Sequence, residues 1–176
     1  MITDILLTPS QTVGPYFAYG LTPEQYGYDF KNLASNICEA AGWEIITIKG
    51  KVYDGENKPI PDAMIELWQN DGDNQFFGRF GTGTEIENHF IFQTIKPKSV
   101  DGQAPYCSLI VFMRGQLIHS YTRVYFSDEA ALNLQDIVLN TIPEERRNTI
   151  IAQRKGSIYE FNIYMQGDSE TVFFAF

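Results

Sequence analysis

"EIITIKGKVYD", residues 44–54, decides the architecture. Ile46, Ile48 and Val52 fall on one face of this stretch, and Thr47, Lys49 and Lys51 fall on the other. That period of two is the signature of a strand with one buried face. "DGENKPIPD" at 54–62 then supplies turn chemistry, and "AMIELWQND" at 63–71 reads as a second strand. Further along, "HFIFQTI" reads as a strand stopped by Pro97. "SLIVFM" reads as a strand buried on both faces, and "YTRVYF" as another. "YEFNIYMQ" alternates, with Phe161, Ile163 and Met165 predicted inward, and "ETVFFAF" is predicted to close the chain as a last strand. "DGDN" and "GRFGTGTEIEN" read as glycine-rich loops around Phe76 and Phe77.

One helix is expected, in "TIPEERRNTIIAQRKG" at 141–156. Thr141 and Glu144 stand at capping-box spacing, Pro143 lies in the first turn, and Gly156 reads as a C-cap. About seven short strands with one short C-terminal helix predict an all-β fold, a β-sandwich. A single domain over 1–176 is expected, with 44–176 as the sandwich and 1–43 as an extended N-terminal arm. The arm contains little periodic structure. Thr22 before Pro23 and Glu24 reads as a helix N-cap, and "NLASNICEAAG" as a helical turn or two. An arm of this length needs a surface to lie on.

The chain has 176 residues and a formal net charge of -9, so it can bury a core without staples. Lys and Arg do not cluster, which argues against a nucleic-acid partner. No run approaches the roughly 18 apolar residues that span a bilayer. Cys38 and Cys107 lack metal or redox spacing, and the start "MITDILLTPSQ" does not read as a secretory signal, so a cytoplasmic location is expected.

His89 and His119 flank strands, and neither has a ligating partner at a recognised spacing. Glu66, in "MIELW", is a carboxylate amid apolar neighbours, which would favour its protonated form if it were enclosed, but the ordinary outcome is that it faces water or pairs with a Lys or Arg. Arg114 follows a buried strand and precedes a glycine, where it would serve either a structural ion pair or bidentate recognition of a carboxylate. Pattern alone yields no complete catalytic set.

The sequence resembles the intradiol ring-cleaving dioxygenases, and within them the chains that carry no iron. The likeness rests on "TPSQTVGPY" at 8–16, "GKVYDGENKPIPDAMIELWQND" at 50–71, "TIKP" at 94–97, "FMRG" at 112–115, "TRVYFSDEA" at 122–130 and "YEFNIYMQGDSETVFFAF" at 159–176, all in chain order. The resemblance implies a β-sandwich subunit paired with a homologous iron-bearing partner subunit. The partner would hold Fe(III) through two tyrosines and two histidines, hard phenolate donors suiting that ion. The pair would act on a protocatechuate-like catechol carboxylate and O2.

In this chain the positions of the iron-bearing chains' His-x-His are Tyr106 and Ser108. The tyrosine expected after "TIKP" is missing from "KSVDGQ", and the loop after "LWQND" offers only Phe76 and Phe77. No metal is therefore expected here, and no catalytic residue in this chain alone. The resemblance places Thr12, Gly14, Pro15 and Arg114 on the wall of the shared substrate pocket. Gly14 would let backbone approach the ligand, Pro15 would hold the loop, and Arg114 would bring positive charge near an anionic substrate. Two readings compete: a non-enzymatic sandwich that binds ligands or partners, and a self-sufficient dioxygenase with an iron site rebuilt from Tyr106 and His89 or His119.

Overall fold

The computed structural model describes residues 12, 14, 16–35, 45–70 and 75–175. The "EIITIKGKVYD" stretch forms β1 (Ile45–Tyr53), with Ile46, Ile48 and Val52 all essentially inaccessible to solvent. The chain continues through β2 (Met64–Asn70), β3 (Gln75–Gly81), β4 (His89–Ile95), β5 (Tyr106–Phe112), β6 (Ser120–Phe126), β7 (Ile151–Lys155), β8 (Ile158–Glu160) and β9 (Ile163–Tyr164). The described residues thus hold nine strands rather than about seven. Their order is β3-β2-β5-β6-β7-β8-β1-β4, with β9 beside β1. β1 and β2, consecutive in sequence, do not pair; β1 lies between β4 and β8, and β2 between β3 and β5.

The β3-β2-β5-β6 and β8-β1-β4 arrays bury one shared core. Ile65, Leu67, Leu109, Val111 and Val124 from the first meet Ile46, Ile48, Phe90 and Phe92 from the second. Each such side chain contributes about 1.5–3 kcal/mol relative to exposure. A buried polar bridge ties the arrays. Gln69 Nε2 donates to the Ile95 carbonyl at 2.8 Å, and Thr94 Oγ1 donates to Gln69 Oε1 at 2.9 Å. Gly50 occupies an inward β1 position because a Cβ there would stand 1.6 Å from the Phe161 carbonyl oxygen.

Four sequence expectations need correction. The predicted helix over 141–156 shrinks to α3 (Glu144–Arg147), the third of three short α-segments after α1 (Tyr16–Leu21) and α2 (Ala130–Asn133). Its capping box does not form: Thr141 Oγ1 donates to the Val138 carbonyl at 2.7 Å, and Pro143 holds the N-cap position. After Arg147 the chain makes a 3-10 turn over Asn148–Ile150 and then enters β7, where parallel pairing with β6 buries Ala152 completely. Gly156 adopts φ 66° in the β7–β8 turn, a conformation glycine adopts at little cost. Secondly, Gln75–Gly81 is a strand, not loop, because it caps the edge of β2 over seven register pairs. Thirdly, β5 alternates half-buried and buried positions; only Cys107, Leu109 and Val111 face the core. Finally, "ETVFFAF" gives only an isolated bridge from Phe174 to Tyr121.

The arm from Tyr16 to Ser35 lies on its own domain. Ala18 and Thr22 are buried, and Gln25 brackets Gly81, donating to its carbonyl at 3.0 Å and accepting its amide at 2.8 Å. Pro23–Tyr26 is a short 3-10 turn, and Thr22 Oγ1 donates back to the Ala18 carbonyl rather than capping it. The second expected arm turn and Cys38 fall partly or wholly on residues 36–44, outside the described residues.

Candidate functional site

Three of the four expected pocket residues converge on one corner. β5 ends at Phe112, and Gly115 turns the chain at φ 86° just after Arg114. That left-handed turn exposes Arg114 and points the Gly115 amide outward, where it donates to Thr12 Oγ1 at 2.9 Å. The Gly14 carbonyl accepts from the Phe17 amide at 3.1 Å, and the Phe17 ring lies 5.6 Å from that of Phe112. Thr12 is thus tied to the residue after Arg114, and Gly14 to the start of α1, whose Phe17 packs on Phe112. Pro15 lies outside the described residues. A Cβ on Gly14 would meet nothing within 4 Å among the described residues, so nothing there requires a glycine.

Sequence reasoning missed a member of this corner. Asp62, in the turn before β2, accepts a hydrogen bond from Arg114 Nε through Oδ2. Its sequence signal is slight, a single carboxylate after two prolines. Tyr26 stands nearby; burial, then Tyr19, then the Asp62 charge push its phenol above the usual range. Beyond Arg114, Gln116 braces the loop by accepting the Met113 amide at 3.1 Å and donating to Ser120 Oγ at 2.6 Å. Leu117 and Ile118, between those anchors, are exposed to 70% and 79%.

The positions compared with iron ligands lie along the outer face of β2, β5 and β6. Tyr106 pairs with Tyr125 and Ser108 with Arg123 across β5–β6. The Arg123 guanidinium sits 4.0 Å above the Tyr106 ring, donates to Gln103 Oε1 at 2.7 Å and to the Tyr125 hydroxyl at 3.3 Å. Burial alone would lower the Arg123 pKa, but the surrounding Tyr125, Tyr106 and Tyr121 outweigh it and hold it charged. Ser108 Oγ shares a 2.9 Å hydrogen bond with the Tyr121 hydroxyl. Phe77 packs on Trp68 at 4.3 Å and offers no donor atom. A ferric ion needs anionic or lone-pair donors, and this face presents it with a fixed cation. The donor set does not fit the metal. His89 Nδ1 bonds the Ile86 carbonyl at 2.8 Å, and His119 lies against Phe112 at 5.6 Å; neither is near Tyr106 in any contact of the structure. Among the described residues no three His, Cys, Asp or Glu side chains gather to hold a metal. Glu66 accepts from Arg79 Nε at 2.7 Å, the expected ion pair.

No family model matches the chain. It is, however, 45% identical over 195 residues to the protocatechuate 3,4-dioxygenase alpha chain of Burkholderia cepacia, covering 98% of this chain and 99% of that one. The chain belongs to the family of protocatechuate 3,4-dioxygenase alpha chains. Its members are named as chains of a dioxygenase, an oxidoreductase. A second member, from Pseudomonas putida, is 36% identical over 96% of each chain. An intradiol ring-cleavage dioxygenase from Tetranychus urticae matches the fold with a TM-score of 0.60 at 16% identity, over 94% of this chain and 99% of that one. The dioxygenase domain of a carbohydrate-binding fusion from Streptomyces sp. SirexAA-E matches with a TM-score of 0.56 at 18% identity, over 94% and 99%. The all-β sandwich is thus the fold of the family. Among the described residues no helix is long and apolar enough to cross a membrane.

Proposed function

We propose that this chain is the non-iron subunit of a protocatechuate 3,4-dioxygenase. The assembled enzyme cleaves the ring of protocatechuate between its two hydroxyls and inserts both atoms of O2, giving 3-carboxy-cis,cis-muconate. A homologous beta subunit holds the Fe(III) that supplies the oxidative chemistry. This chain contributes the pocket wall, from Thr12, Gly14, Pro15 and Arg114, and the scaffold on which the partner assembles. The reading places the work in the cytoplasm.

The observation that carries the proposal is the near full-length identity to alpha chains, on a face where Arg123 stands against the position of an iron ligand. The corner geometry supports it. Arg114 reaches out from a braced turn, beside Thr12 and Gly14, with Leu117 and Ile118 exposed next to it as a surface a partner would cover. Gly14, which nothing among the described residues requires, suits a backbone that a ligand or partner approaches closely.

Iron content and a visible spectrum test the proposal, on the chain alone and after co-expression with a beta subunit. The expected result is a colourless lone chain and a coloured, co-purifying pair that consumes O2 with protocatechuate. Ferric iron with a tyrosinate charge-transfer band in the lone chain overturns it in favour of a rebuilt site. A stable chain that forms no pair points instead to a non-enzymatic module.

A further inference from the structure

We propose that Asp62 is a positioning residue for substrate, acting through Arg114. The inference rests on the pocket reading above and extends it to a residue outside the expected pocket set.

Asp62 is itself held. Thr82, fully buried, donates through Oγ1 to the Ile60 carbonyl at 2.7 Å and accepts from the Ala63 amide at 3.2 Å, bracketing Pro61 and Asp62 from both sides. Gly83 lets this turn close: a Cβ there would stand 2.5 Å from the Pro61 carbonyl oxygen. The Asp62 side chain is only 13% exposed, whereas that of Arg114 is 63% exposed. A largely buried carboxylate on this held turn, its Oδ1 without a hydrogen-bond partner among the described residues, thus grips the Nε edge of an arginine that otherwise extends into solvent.

The consequence is directional. Asp62 takes the side-on edge of the guanidinium, and Nη1 and Nη2 make no hydrogen bond among the described residues. The end-on edge, left open by Asp62, can receive a carboxylate as two parallel hydrogen bonds. Because the Asp62 charge offsets much of that of Arg114, the pair attracts anions weakly at long range. It recognises a carboxylate by geometry at contact. An arginine without that grip would lose side-chain freedom on each binding event. Asp62 therefore sets preference for a carboxylated catechol over a plain one.

The test is the ratio of kcat/KM for protocatechuate to that for catechol, measured on the assembled enzyme. Asp62→Ala is expected to lower the ratio about tenfold through the KM for protocatechuate, the scale of re-ordering one long side chain. The catechol constants and the iron content should not change. In the Arg114→Ala background, Asp62→Ala should lower the ratio no further, since its favourable effect runs through Arg114. A ratio unchanged by Asp62→Ala, an equal loss for both substrates, or an additive double variant overturns the inference. If Arg114→Ala itself leaves the ratio unchanged, the pocket reading fails, and this inference with it. If Asp62→Ala does not assemble, Asp62→Glu keeps the charge and displaces the carboxylate by one methylene. It should lower the ratio at least threefold, and an unchanged ratio there overturns the inference equally.

Discussion

Replacing Asp136 should cost this chain more stability than almost any other single polar substitution. Its side chain is fully buried, yet among the described residues it forms no ion pair. It is satisfied instead by hydrogen bonds. Oδ1 accepts the Val138 amide at 2.9 Å, the Leu139 amide at 2.7 Å and the Tyr125 hydroxyl at 3.2 Å, while Oδ2 accepts the Ala104 amide at 2.8 Å. One carboxylate thereby pins the loop after α2, the approach to β5, and the Tyr125 ring beneath Arg123. In Asp136→Ala the amides of Ala104 and Leu139, both in nearly inaccessible residues, lose their acceptor, whereas Val138 still reaches water. At about 1–3 kcal/mol for each buried unsatisfied group, and with Tyr125 also released, the expected loss is about 3–5 kcal/mol.

Asp136→Asn separates the parts of that loss. Its carbonyl oxygen replaces Oδ1 and keeps the bonds to Val138, Leu139 and Tyr125. Its amide nitrogen must then face the Ala104 amide, donor against donor, so the expected loss is about 1–3 kcal/mol. Urea unfolding followed by tryptophan fluorescence reads both variants, with an unchanged m-value required for the comparison. In thermal melts the alanine variant should fall by about 10 °C, at roughly 2–4 °C per kcal/mol for a chain of this size. An alanine variant within about 1 kcal/mol of the parent refutes the assignment. So does an asparagine variant as costly as alanine, which would place the energy in charge rather than in bond count.

Gly50→Ala puts a Cβ 1.6 Å from the Phe161 carbonyl oxygen and 2.9 Å from Phe90 Cζ, so it should cost about 3 kcal/mol or more, readable in the same melts. At Asp128, burial pushes the carboxyl up, but the bonds from Lys96 and the Tyr159 hydroxyl outweigh it and leave the pKa lowered. Its stabilisation is present above the unfolded carboxyl pKa and lost as pH falls through the folded one, so Lys96→Met should flatten the acid limb of a urea-midpoint profile below about pH 4. Ile118→Asp, in the exposed loop beyond Arg114, should sharply reduce co-purification with a beta subunit while leaving the lone chain's melting temperature within about 2 °C.

Strands with one wet face were legible because alternation reports burial directly: Ile46, Ile48 and Val52 were assigned correctly from spacing alone. The errors share a physical cause. β3 contains Gly78 and Gly81, which read as loop locally, yet Gly78 is required because a Cβ would come within 2.8 Å of the Ser35 carbonyl oxygen. The 151–155 segment reads as helix from its caps, but its fate is set by the parallel partner β6, some 25 residues upstream. In both cases tertiary pairing overrode local preference. Of the two ordinary outcomes expected for Glu66, exposure to water or an ion pair, the structure shows the pair, and its partner Arg79 lies on the very strand that was read as loop.

The site divides along the same line, and the division says where further function in such a chain is to be sought. Arg114 stood out locally, as a guanidinium between a buried strand and a glycine. Asp62 did not, because its meaning comes from a residue 52 positions away and from a turn held shut by Thr82 and Gly83. Arg123 reads locally as a strand residue in a stretch shared with the resembled family, with no sign of a role of its own. Across β5 it proves to be the group that covers Tyr106 and sets a positive charge beside it. A lost metal site can be read from missing ligands, but its replacement cannot, since the replacing residue need not stand at any ligand position. Arg123→Ala tests whether the cation is what keeps iron out. It removes the charge and leaves the Tyr106 phenol and the Ser108 hydroxyl in place. If the lone variant still takes up no ferric iron, the poverty of the remaining donors is sufficient; iron uptake with a tyrosinate band would make Arg123 the decisive exclusion.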